Sequence, residues 1–205
     1  MENILKKYNV SRETSCDLQS YDRALHEWQC KFNLVSDASL PDSWNRHICD
    51  SVQLFQYLPK DAKVLYDFGS GAGFPGMVLA IMAKYETPYL KVKLVESIKK
   101  KTLYLKHVSE LTKTPVGIIN ERIENVKPEP ADVITARALT SLDKLLGYSR
   151  RFTHKGSKLL FLKGKKHKEE IIEAQKHWKF NCEIIPSQES SDGVILSITD
   201  LKEKK

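Results

Sequence analysis

The sequence predicts an α/β protein in which a helical cap precedes a doubly wound, mostly parallel sheet with helices on both faces. Two patterns predict this fold class. The first sixty residues carry apolar side chains at helical spacing, and seven short apolar runs follow them. The first five runs are separated by segments long enough for a helix, and such alternation is typical of a parallel sheet. We therefore expect a cap over residues 1–60 and one compact α/β domain over residues 61–205.

The cap is predicted to contain two helices. In "LQSYDRALHEWQCKFNL" apolar side chains recur every three or four residues and mark one buried face: Leu18, Tyr21, Leu25, Trp28 and Phe32. A second helix is expected through "PDSWNRHICDSVQLFQYL", where Pro41 suits the first turn. Its inward side chains are expected to be Trp44, Ile48, Val52 and Phe55.

Strands and helices then alternate along the chain. The seven predicted strands are "KVLYDF", "LKVKLVE", "VGIIN", "DVITAR", "KLLFLKG", "CEIIP" and "GVILSIT". Helices are predicted in "PGMVLAIMAK", "KKKTLYLKHVSELT" and "LDKLLGYSRRF", with a less regular segment, "RIENVK", after the third strand. The last two runs lie closer together, so we expect them to form an antiparallel hairpin at one edge of the sheet.

The first predicted strand leads into the glycine-rich stretch "DFGSGAGFPG". Glycine permits positive φ and a close approach of the main chain, and a helix that starts near Pro75 offers unpaired N–H groups. In doubly wound sheets, ligands bind beyond the carboxyl ends of the strands. This stretch is therefore the predicted binding site for a flat or anionic cofactor.

Two cofactors fit the spacing of this stretch. Gly71, Gly73 and Gly76 satisfy the Gly-x-Gly-x-x-Gly pattern of nicotinamide dinucleotide sites, and Glu96 ends the next strand twenty residues later. Asp67, however, would repel a pyrophosphate and attract a cationic ammonium or sulfonium. Asp67 followed by alternating glycines, with Glu96 accepting from ribose hydroxyls, favours S-adenosylmethionine. A glycine-rich turn that binds no ligand is the third interpretation.

The positive charge of the chain is concentrated in one stretch. The formal net charge is +7, and nine Lys or Arg with no Asp or Glu lie between Lys144 and Lys168. Such a stretch suits contact with a phosphate backbone, although a solvated basic surface has the same composition. We expect the RNA contacts at three lysines that follow the fifth predicted strand: Lys163, Lys165 and Lys166.

Other classes of protein are disfavoured. No apolar run approaches the ~20 residues of a membrane span, and the first residues lack the apolar centre of a signal peptide. We therefore expect a cytoplasmic protein with no membrane partner. The four cysteines form no Cys-x-x-Cys pair and the six histidines are scattered, which predicts free, mostly buried thiols and no metal site.

Several segments resemble one known family. The stretches "FNL", "WNRHICDS", "DFGSGAGFPG", "LVESIKKKTLYLKHV", "RIENV", "TARALTSLDKLL" and "FLKG" are similar, in this order, to segments of the RsmG (GidB) family. The resemblance runs from about Phe32 to Gly164. These bacterial enzymes use S-adenosylmethionine to methylate N7 of a guanine in the 530 loop of 16S ribosomal RNA. The resemblance implies a class I S-adenosylmethionine-dependent methyltransferase fold, Rossmann-like with about seven strands. It also implies that the partner is 16S rRNA, the small ribosomal subunit or its precursor, and we expect a monomer.

The resemblance further implies roles for individual residues. Gly69 and Phe74 match cofactor positions of the glycine loop. Ile123 and Glu124 match a pair beside the adenine. Arg137 matches an arginine that lines the cofactor and the reaction site, and a structural salt bridge is its alternative role. Arg46 and His47 are candidates for RNA contact from the cap. The chain departs from the family at Tyr66 and Phe68, where smaller aliphatic side chains are usual.

The residues present also limit the methyl acceptor. Methylation of a pyrimidine carbon requires a cysteine nucleophile, and no cysteine follows the fourth or fifth strand. Enzymes that methylate exocyclic amines carry Asn/Asp-Pro-Pro-aromatic where this chain has "TARAL". Guanine N7 already carries a lone pair and no proton, so positioning by groups such as Arg137 is sufficient. A non-catalytic RNA-binding assembly factor and a nicotinamide-dependent oxidoreductase are the alternative functions.

Overall fold

The computed structural model describes residues 7–204, and its first long element is the cap helix α1, Arg12–Gln29. Ser11 caps this helix, since its Oγ accepts a hydrogen bond from the Thr14 amide at 3.1 Å. The predicted apolar face is confirmed for Leu18, Tyr21 and Leu25, which are fully buried. Trp28 and Phe32 are half-buried and pack against the same core.

The second predicted cap helix is correct in its buried face but wrong as a single helix. The chain forms a 3-10 turn at Leu40–Asp42, a π-helix at Trp44–Cys49, one α-turn at Asp50–Val52 and a 3-10 turn at Phe55–Tyr57. Trp44, Ile48 and Val52 are buried as predicted, and Phe55 is half-buried. Apolar periodicity identifies the buried face but does not separate an α-helix from turns of neighbouring pitch.

Seven strands form one sheet, as predicted. Their bounds are β1 Val64–Phe68, β2 Lys91–Val95, β3 Gly117–Ile119, β4 Ala131–Arg137, β5 Thr153–Lys163, β6 Trp178–Pro186 and β7 Val194–Glu203. The spatial order is β3-β2-β1-β4-β5-β7-β6. The first five strands pair in parallel, and β7 is antiparallel to both β5 and β6. The predicted hairpin at one edge is therefore confirmed.

Four helices connect the strands of the sheet. They are α2 Gly76–Glu86, α3 Lys99–Leu111, α4 Leu142–Arg150 and α5 His167–Ala174. The irregular segment after β3 is a 3-10 turn at Ile123–Asn125. Helix α5 was not predicted, because Ala174 is its only buried residue and its apolar periodicity is correspondingly weak.

The helices cover the two faces of the sheet and enclose two apolar clusters. One cluster joins α2 and α3 to Leu65 and Leu94 of the sheet, and it includes Leu18, Tyr21 and Trp44 of the cap. The other cluster lies under α4 and α5 on the opposite face. Because the cap contributes to a core shared with the sheet, cap side chains reach the loop that follows β1.

Membrane spans, metal sites and thiols were the features used above to disfavour other classes of protein. Within residues 7–204, no helix is long and apolar enough to cross a membrane, and no cluster of three or more His, Cys, Asp or Glu side chains is placed to bind a metal ion. All four cysteines are free, but Cys16 and Cys30 are exposed. The prediction of mostly buried thiols is wrong for these two, because both lie off the buried face of α1.

Candidate active site

The loop between β1 and α2 depends on glycines. Gly69, Gly71 and Gly73 have φ values of +65°, +58° and +101°, in the left-handed region that side chains disfavour. The Ser70 amide donates to the Val95 carbonyl at 3.0 Å, and the Phe74 amide donates to the Ser70 carbonyl at 3.1 Å. The loop is thereby closed on itself and attached to the end of β2.

Glu96, directly after β2, holds this loop through its side chain. Its Oε2 accepts from the Gly71 amide at 2.9 Å, and its Oε1 accepts from the Ile98 amide at 2.7 Å. The residue is buried, with 6% of its surface exposed. A carboxylate offers about four acceptor positions. Two of them are therefore left for donors of a bound molecule.

The loop, Glu96 and the ends of β3 and β4 surround a cavity of about 420 Å³, here called the cofactor cavity. Its wall combines the main chain of Gly69 and Gly71, the Glu96 carboxylate, the apolar side chains of Ile98, Ile123 and Leu139, and the cation of Lys101. This set fits S-adenosylmethionine, which has a flat apolar purine, two ribose hydroxyls and a charged amino-acid end. The predicted residues Gly69, Gly71, Glu96, Ile123 and Glu124 are all brought together here.

The sequence did not predict several side chains of this cavity, among them those of Lys101, Leu139 and Tyr148. Lys101 comes from α3, Leu139 from the turn after β4 and Tyr148 from α4. The Tyr148 hydroxyl donates to Glu124 Oε1 at 2.8 Å. The main-chain amide of Glu124 itself and this hydroxyl both lower the pKa of the Glu124 carboxyl. No local motif marks these residues, because three separate elements supply them.

Asp67 lies beneath the loop and lines neither this cavity nor its neighbours. The residue is 0% exposed, and its Oδ1 accepts from the Thr135 hydroxyl at 2.7 Å. Its Oδ2 faces the start of α2, where a Cβ on Gly76 would lie 2.6 Å away. Burial raises the pKa of Asp67 to about 6, and the Thr135 hydrogen bond opposes that rise. The orientation of the cofactor ammonium by Asp67, in part through water, stays a prediction, because the carboxylate lies under the loop rather than in the wall of the cavity.

Phe74 and Gly73 also lie away from the cofactor cavity, at the contact between loop and cap. The Phe74 ring stacks on Tyr21 and on His47, with centroid separations of 5.2 and 5.0 Å. The Tyr21 hydroxyl donates to the Ala72 carbonyl. A Cβ on Gly73 would lie 2.8 Å from Met77 Cβ. The ring holds the loop against the cap and lines the cleft that Gly69 and Gly71 also line, and the cofactor contact implied for Phe74 stays a prediction.

Arg137 ends β4 and connects the sheet to the cap. Its Nη1 donates to the Arg46 carbonyl at 2.9 Å and lies 4.0 Å from Asp50 Oδ2. Its guanidinium also lies over the Phe74 ring, 5.0 Å from the centroid. Arg137 lines a cleft of about 270 Å³ between cap and loop, together with Arg46, His47 and Lys101. It is therefore close to the loop but outside the wall of the cofactor cavity.

A second large cavity, of about 590 Å³, lies on the other side of the turn that follows β4. We call it the β5 cavity, because residues 162–165 at the end of β5 form one wall. Asp50, Arg137 and the loop 190–194 form the others. Ala138, Leu139 and Thr140 line both the β5 cavity and the cofactor cavity. A molecule in one cavity is therefore separated from a molecule in the other by a single turn of main chain.

His47 is held as a neutral imidazole. Its Nε2 lies 3.0 Å from the Ser39 hydroxyl and its Nδ1 lies 3.1 Å from the Arg46 carbonyl, so both nitrogens have partners. Burial, together with the charge of Arg137, lowers the pKa of His47 to about 3. The side chain is thus uncharged near neutral pH, and it faces the cap cleft rather than open solvent.

This environment makes a prediction about stability and pH. The unfolded chain protonates His47 near pH 6.5 while the folded protein keeps it neutral, so stability is lost as the pH falls from 6.5 towards 3. Between pH 7 and pH 5 we expect the advantage of the wild type over His47→Gln to shrink by about 2 kcal/mol. Urea unfolding of both proteins at the two pH values measures this difference. Parallel stability changes in the two proteins would contradict the assignment.

The basic residues between Lys144 and Lys168 do not form one surface, because β5 runs from one end of the sheet to the other and separates them. Lys155 lies near the start of that strand, at the edge opposite to the site, and Arg151 donates to the carbonyls of Glu124 and Val126. Lys163 points inward: its side chain is 8% exposed, and its Nζ lies 2.7 Å from Glu170 Oε2 and 2.8 Å from the Thr140 carbonyl. The RNA contact predicted for Lys163 stays a prediction, since its ammonium is engaged within the protein while the residue lines the β5 cavity. Lys165 and Lys166 are exposed beside the β5 cavity, and Lys165 pairs with Asp192 at 3.0 Å.

The strand order, the glycine loop after β1 and the acid after β2 together define a class I S-adenosylmethionine-dependent methyltransferase fold. Solved structures agree. The ribosomal protein L11 methylase of Lactobacillus delbrueckii subsp. bulgaricus superposes with a TM-score of 0.60 at 12% identity, covering 78% of this chain and 79% of that one. A SAM-dependent methyltransferase of Aquifex aeolicus gives a TM-score of 0.58 at 17% identity, covering 78% and 94%.

The family follows from the sequence comparisons. The model of the GidB family, described as rRNA small subunit methyltransferase G, matches residues 14–192, and the chain belongs to this family. Ribosomal RNA small subunit methyltransferase G of Paramagnetospirillum magneticum is 44% identical over 200 residues, covering 98% of this chain and 95% of the relative. The protein of the same name from Ruegeria pomeroyi is 41% identical over 191 residues, covering 93% of each. The resemblance stated from the motifs is thus confirmed.

These findings decide between the two cofactors left open by the glycine pattern. Dinucleotide-binding folds of the Rossmann type carry the strand order 3-2-1-4-5-6. Here the antiparallel β7 is inserted between β5 and β6. The nicotinamide alternative is therefore wrong, and the protein is an S-adenosylmethionine-dependent methyltransferase.

Proposed function

We propose that this protein transfers a methyl group from S-adenosylmethionine to N7 of a guanine in the 530 loop of 16S ribosomal RNA, as a monomer in the cytoplasm. The observation that carries the proposal is the pair of large cavities that share Ala138, Leu139 and Thr140. A cofactor in one and a nucleobase at the mouth of the other lie side by side. The names of the relatives, which specify small-subunit rRNA, support the substrate.

The residues of the cofactor cavity suit different parts of the cofactor. We assign the ribose hydroxyls to the two unused acceptor positions of Glu96 and the purine to Ile123 and neighbouring apolar side chains. Gly69 and Gly71 allow the main chain to approach, and Glu124 closes the far side. When bound, the cofactor supplies an electrophilic methyl on a sulfonium. Asp67 and Phe74 keep the loop in place from below and from the cap.

The surroundings of Arg137 suit an acceptor that needs no deprotonation. His47, the nearest imidazole, has both nitrogens engaged and is neutral. Guanine N7 attacks with a lone pair that is already available, so alignment and exclusion of water supply the catalysis. We assign the positioning role to Arg137, whose planar fork is held by the Arg46 carbonyl and the Phe74 ring.

We assign the RNA backbone to Lys165 and Lys166, with Arg46 on the cap side. Replacing both lysines with alanine is expected to weaken RNA binding and to reduce the slope of log K against log salt by about 1.4, since each phosphate contact to single-stranded RNA contributes about 0.7. Filter binding at several salt concentrations measures the slope. Cofactor affinity should be unchanged, because neither lysine lines the cofactor cavity.

A matched control uses two exposed lysines at the opposite end of the sheet, Lys179 and Lys202. Their double alanine variant removes the same charge and should leave the salt slope close to that of the wild type. Equal slopes for both double variants would place Lys165 and Lys166 outside the RNA contact surface.

The direct test of the function has two stages. Calorimetric titration should show binding of S-adenosylmethionine and none of NAD. Tritium transfer from labelled cofactor onto unmethylated small subunits, followed by borohydride and aniline cleavage, should then map a single N7-methylguanine in the 530 loop. Cofactor and RNA binding without any methyl transfer would favour the alternative of a non-catalytic assembly factor.

A further inference from the structure

The cap segment that carries "WNRHICDS" places a carboxylate in the wall of the β5 cavity. Binding of the cofactor does not need this carboxylate. Asp50 directly follows the π-helix, and it lines this cavity opposite residues 162–165. Its side chain is mostly buried, with 14% exposed. A mostly buried carboxylate in the wall of a cavity beside the methyl donor is a candidate for recognising the methyl acceptor through a hydrogen bond.

The contacts of Asp50 hold one of its oxygens and leave the other directed at Arg137. Oδ1 accepts from the Gln53 side-chain amide at 2.7 Å and from the Ser187 hydroxyl at 3.1 Å. Oδ2 lies 4.0 Å from Arg137 Nη1, beyond hydrogen-bond distance, and has no hydrogen bond among residues 7–204. The carboxylate is therefore fixed in orientation while Oδ2 remains available as an acceptor.

Arg137 presents the complementary group at the same place. Its Nη1 donates to the Arg46 carbonyl and its guanidinium lies over the Phe74 ring, so contacts on two sides hold the guanidinium. A guanidinium carries five N–H donors, and the bond to Arg46 occupies one. The wall of the cavity thus offers a donor on Arg137 and an acceptor on Asp50. Their spacing suits two neighbouring polar groups on the edge of one base.

This order of groups matches guanine and not adenine. Guanine carries the acceptor O6 beside the donor N1–H, and O6 also adjoins N7. Adenine carries the donor N6–H₂ beside the acceptor N1, which is the reverse order. Bases taken out of a stack are read in this way along their Watson–Crick edge. A base whose O6 meets Arg137 and whose N1–H meets Asp50 has its N7 on the Arg137 side, towards the turn shared with the cofactor cavity.

We propose that the β5 cavity is the acceptor-base pocket and that Asp50, accepting from N1–H beside Arg137 donating to O6, selects guanine over adenine. This inference rests on the proposed function, because it assigns the base that receives the methyl group. Asp50 contacts the base but no reacting atom, so it is a specificity residue. A site built to hydrogen-bond its substrate rejects an analogue with the reverse pattern by leaving buried groups unpaired.

The test compares small-subunit RNAs that carry guanosine, inosine or adenosine at the mapped position. Inosine keeps O6 and N1–H, so the wild type should methylate it within about tenfold of guanosine and should reject adenosine. Asp50→Asn keeps the acceptor that faces Gln53 and Ser187 but turns a donor towards N1–H. It is expected to lower kcat/KM on guanosine and inosine by about 10- to 100-fold. It should also narrow the guanosine-to-adenosine affinity ratio in filter binding by about tenfold.

The control is Asp42→Asn, which removes the same charge from an exposed position of the cap. It should behave as wild type on all three RNAs, and calorimetry should give all three proteins the same affinity for S-adenosylmethionine. An unchanged guanosine-to-adenosine affinity ratio, or no loss of kcat/KM on guanosine and inosine, in Asp50→Asn would overturn the inference while leaving the proposed function standing. Failure of the wild type to methylate the guanosine RNA would overturn both.

Discussion

Replacing Glu96 with glutamine is expected to lower the affinity for S-adenosylmethionine by about 100-fold, although the substitution preserves the shape of the side chain. Both carboxylate oxygens accept from main-chain amides, those of Gly71 and Ile98. An amide group has one acceptor oxygen, so its NH₂ must face one of these two donors. Hydrogen bonds to charged groups contribute about 1.5–3 kcal/mol each. Losing one loop bond and weakening the ribose contact together give the expected factor.

Calorimetric titration of the cofactor into the variant measures this loss directly. Glu86→Gln is the matched control, because Glu86 is exposed at the end of α2 and lies outside the cofactor cavity. Its affinity should equal that of the wild type. If Glu96→Gln bound the cofactor within about threefold of the wild type, neither the loop bond nor the ribose contact assigned to Glu96 would contribute to cofactor binding.

Replacing Gly76 with alanine is expected to destabilise the protein by about 3 kcal/mol, at the upper end for overpacking a core. A Cβ at this position would lie 2.5 Å from Asp67 Cβ and 2.5 Å from Leu94 Cδ2. Asp67 Cβ is fixed to the main chain of β1, so α2 itself must move away from the sheet. For a chain of this size the melting temperature should fall by roughly 6–12 °C.

Gly147→Ala provides the contrasting control. Gly147 lies in the middle of α4, where a Cβ would meet only Trp178 at an ordinary distance of 3.5 Å. Alanine is the better helix former by about 1 kcal/mol, so this variant should melt at or above the wild-type temperature. Thermal unfolding followed by circular dichroism compares the two. Equal melting temperatures for both variants would contradict the close approach of α2 to β1.

Much of the fold follows from local patterns. The seven strands are short apolar runs, and the hairpin of β6 and β7 follows from the short spacing between its strands. The alternation between strands and helices accounts for the parallel order of the first five strands. Helix α5 was missed because it buries one residue, and the second cap helix was mistaken for a regular one because its buried face persists through changes of pitch.

The candidate site was predictable where a motif is continuous in sequence. Gly69 and Gly71 of the glycine loop and Glu96, which one helix and one strand separate, line the same cavity. Individual contacts were less predictable. The position of Asp67 before the glycines predicts a ligand of the cofactor, whereas its side chain is buried under the loop. The surrounding lysines predict that Lys163 belongs to a basic surface. Its ammonium instead pairs with Glu170, seven residues later, and the side chain is mostly buried.

The class of fold, the cofactor loop and the family were predictable from the sequence, because these depend on periodicity, glycine placement and residues close together along the chain. Which charges are available and which cavities adjoin depends on the packing of distant segments. Asp50 and Arg137 are 87 positions apart in the chain and meet because the cap packs over the carboxyl ends of the strands. Burial and pairing of charges depend on contacts between distant segments. The direction of a carboxylate or an ammonium therefore cannot be read from its neighbours in sequence.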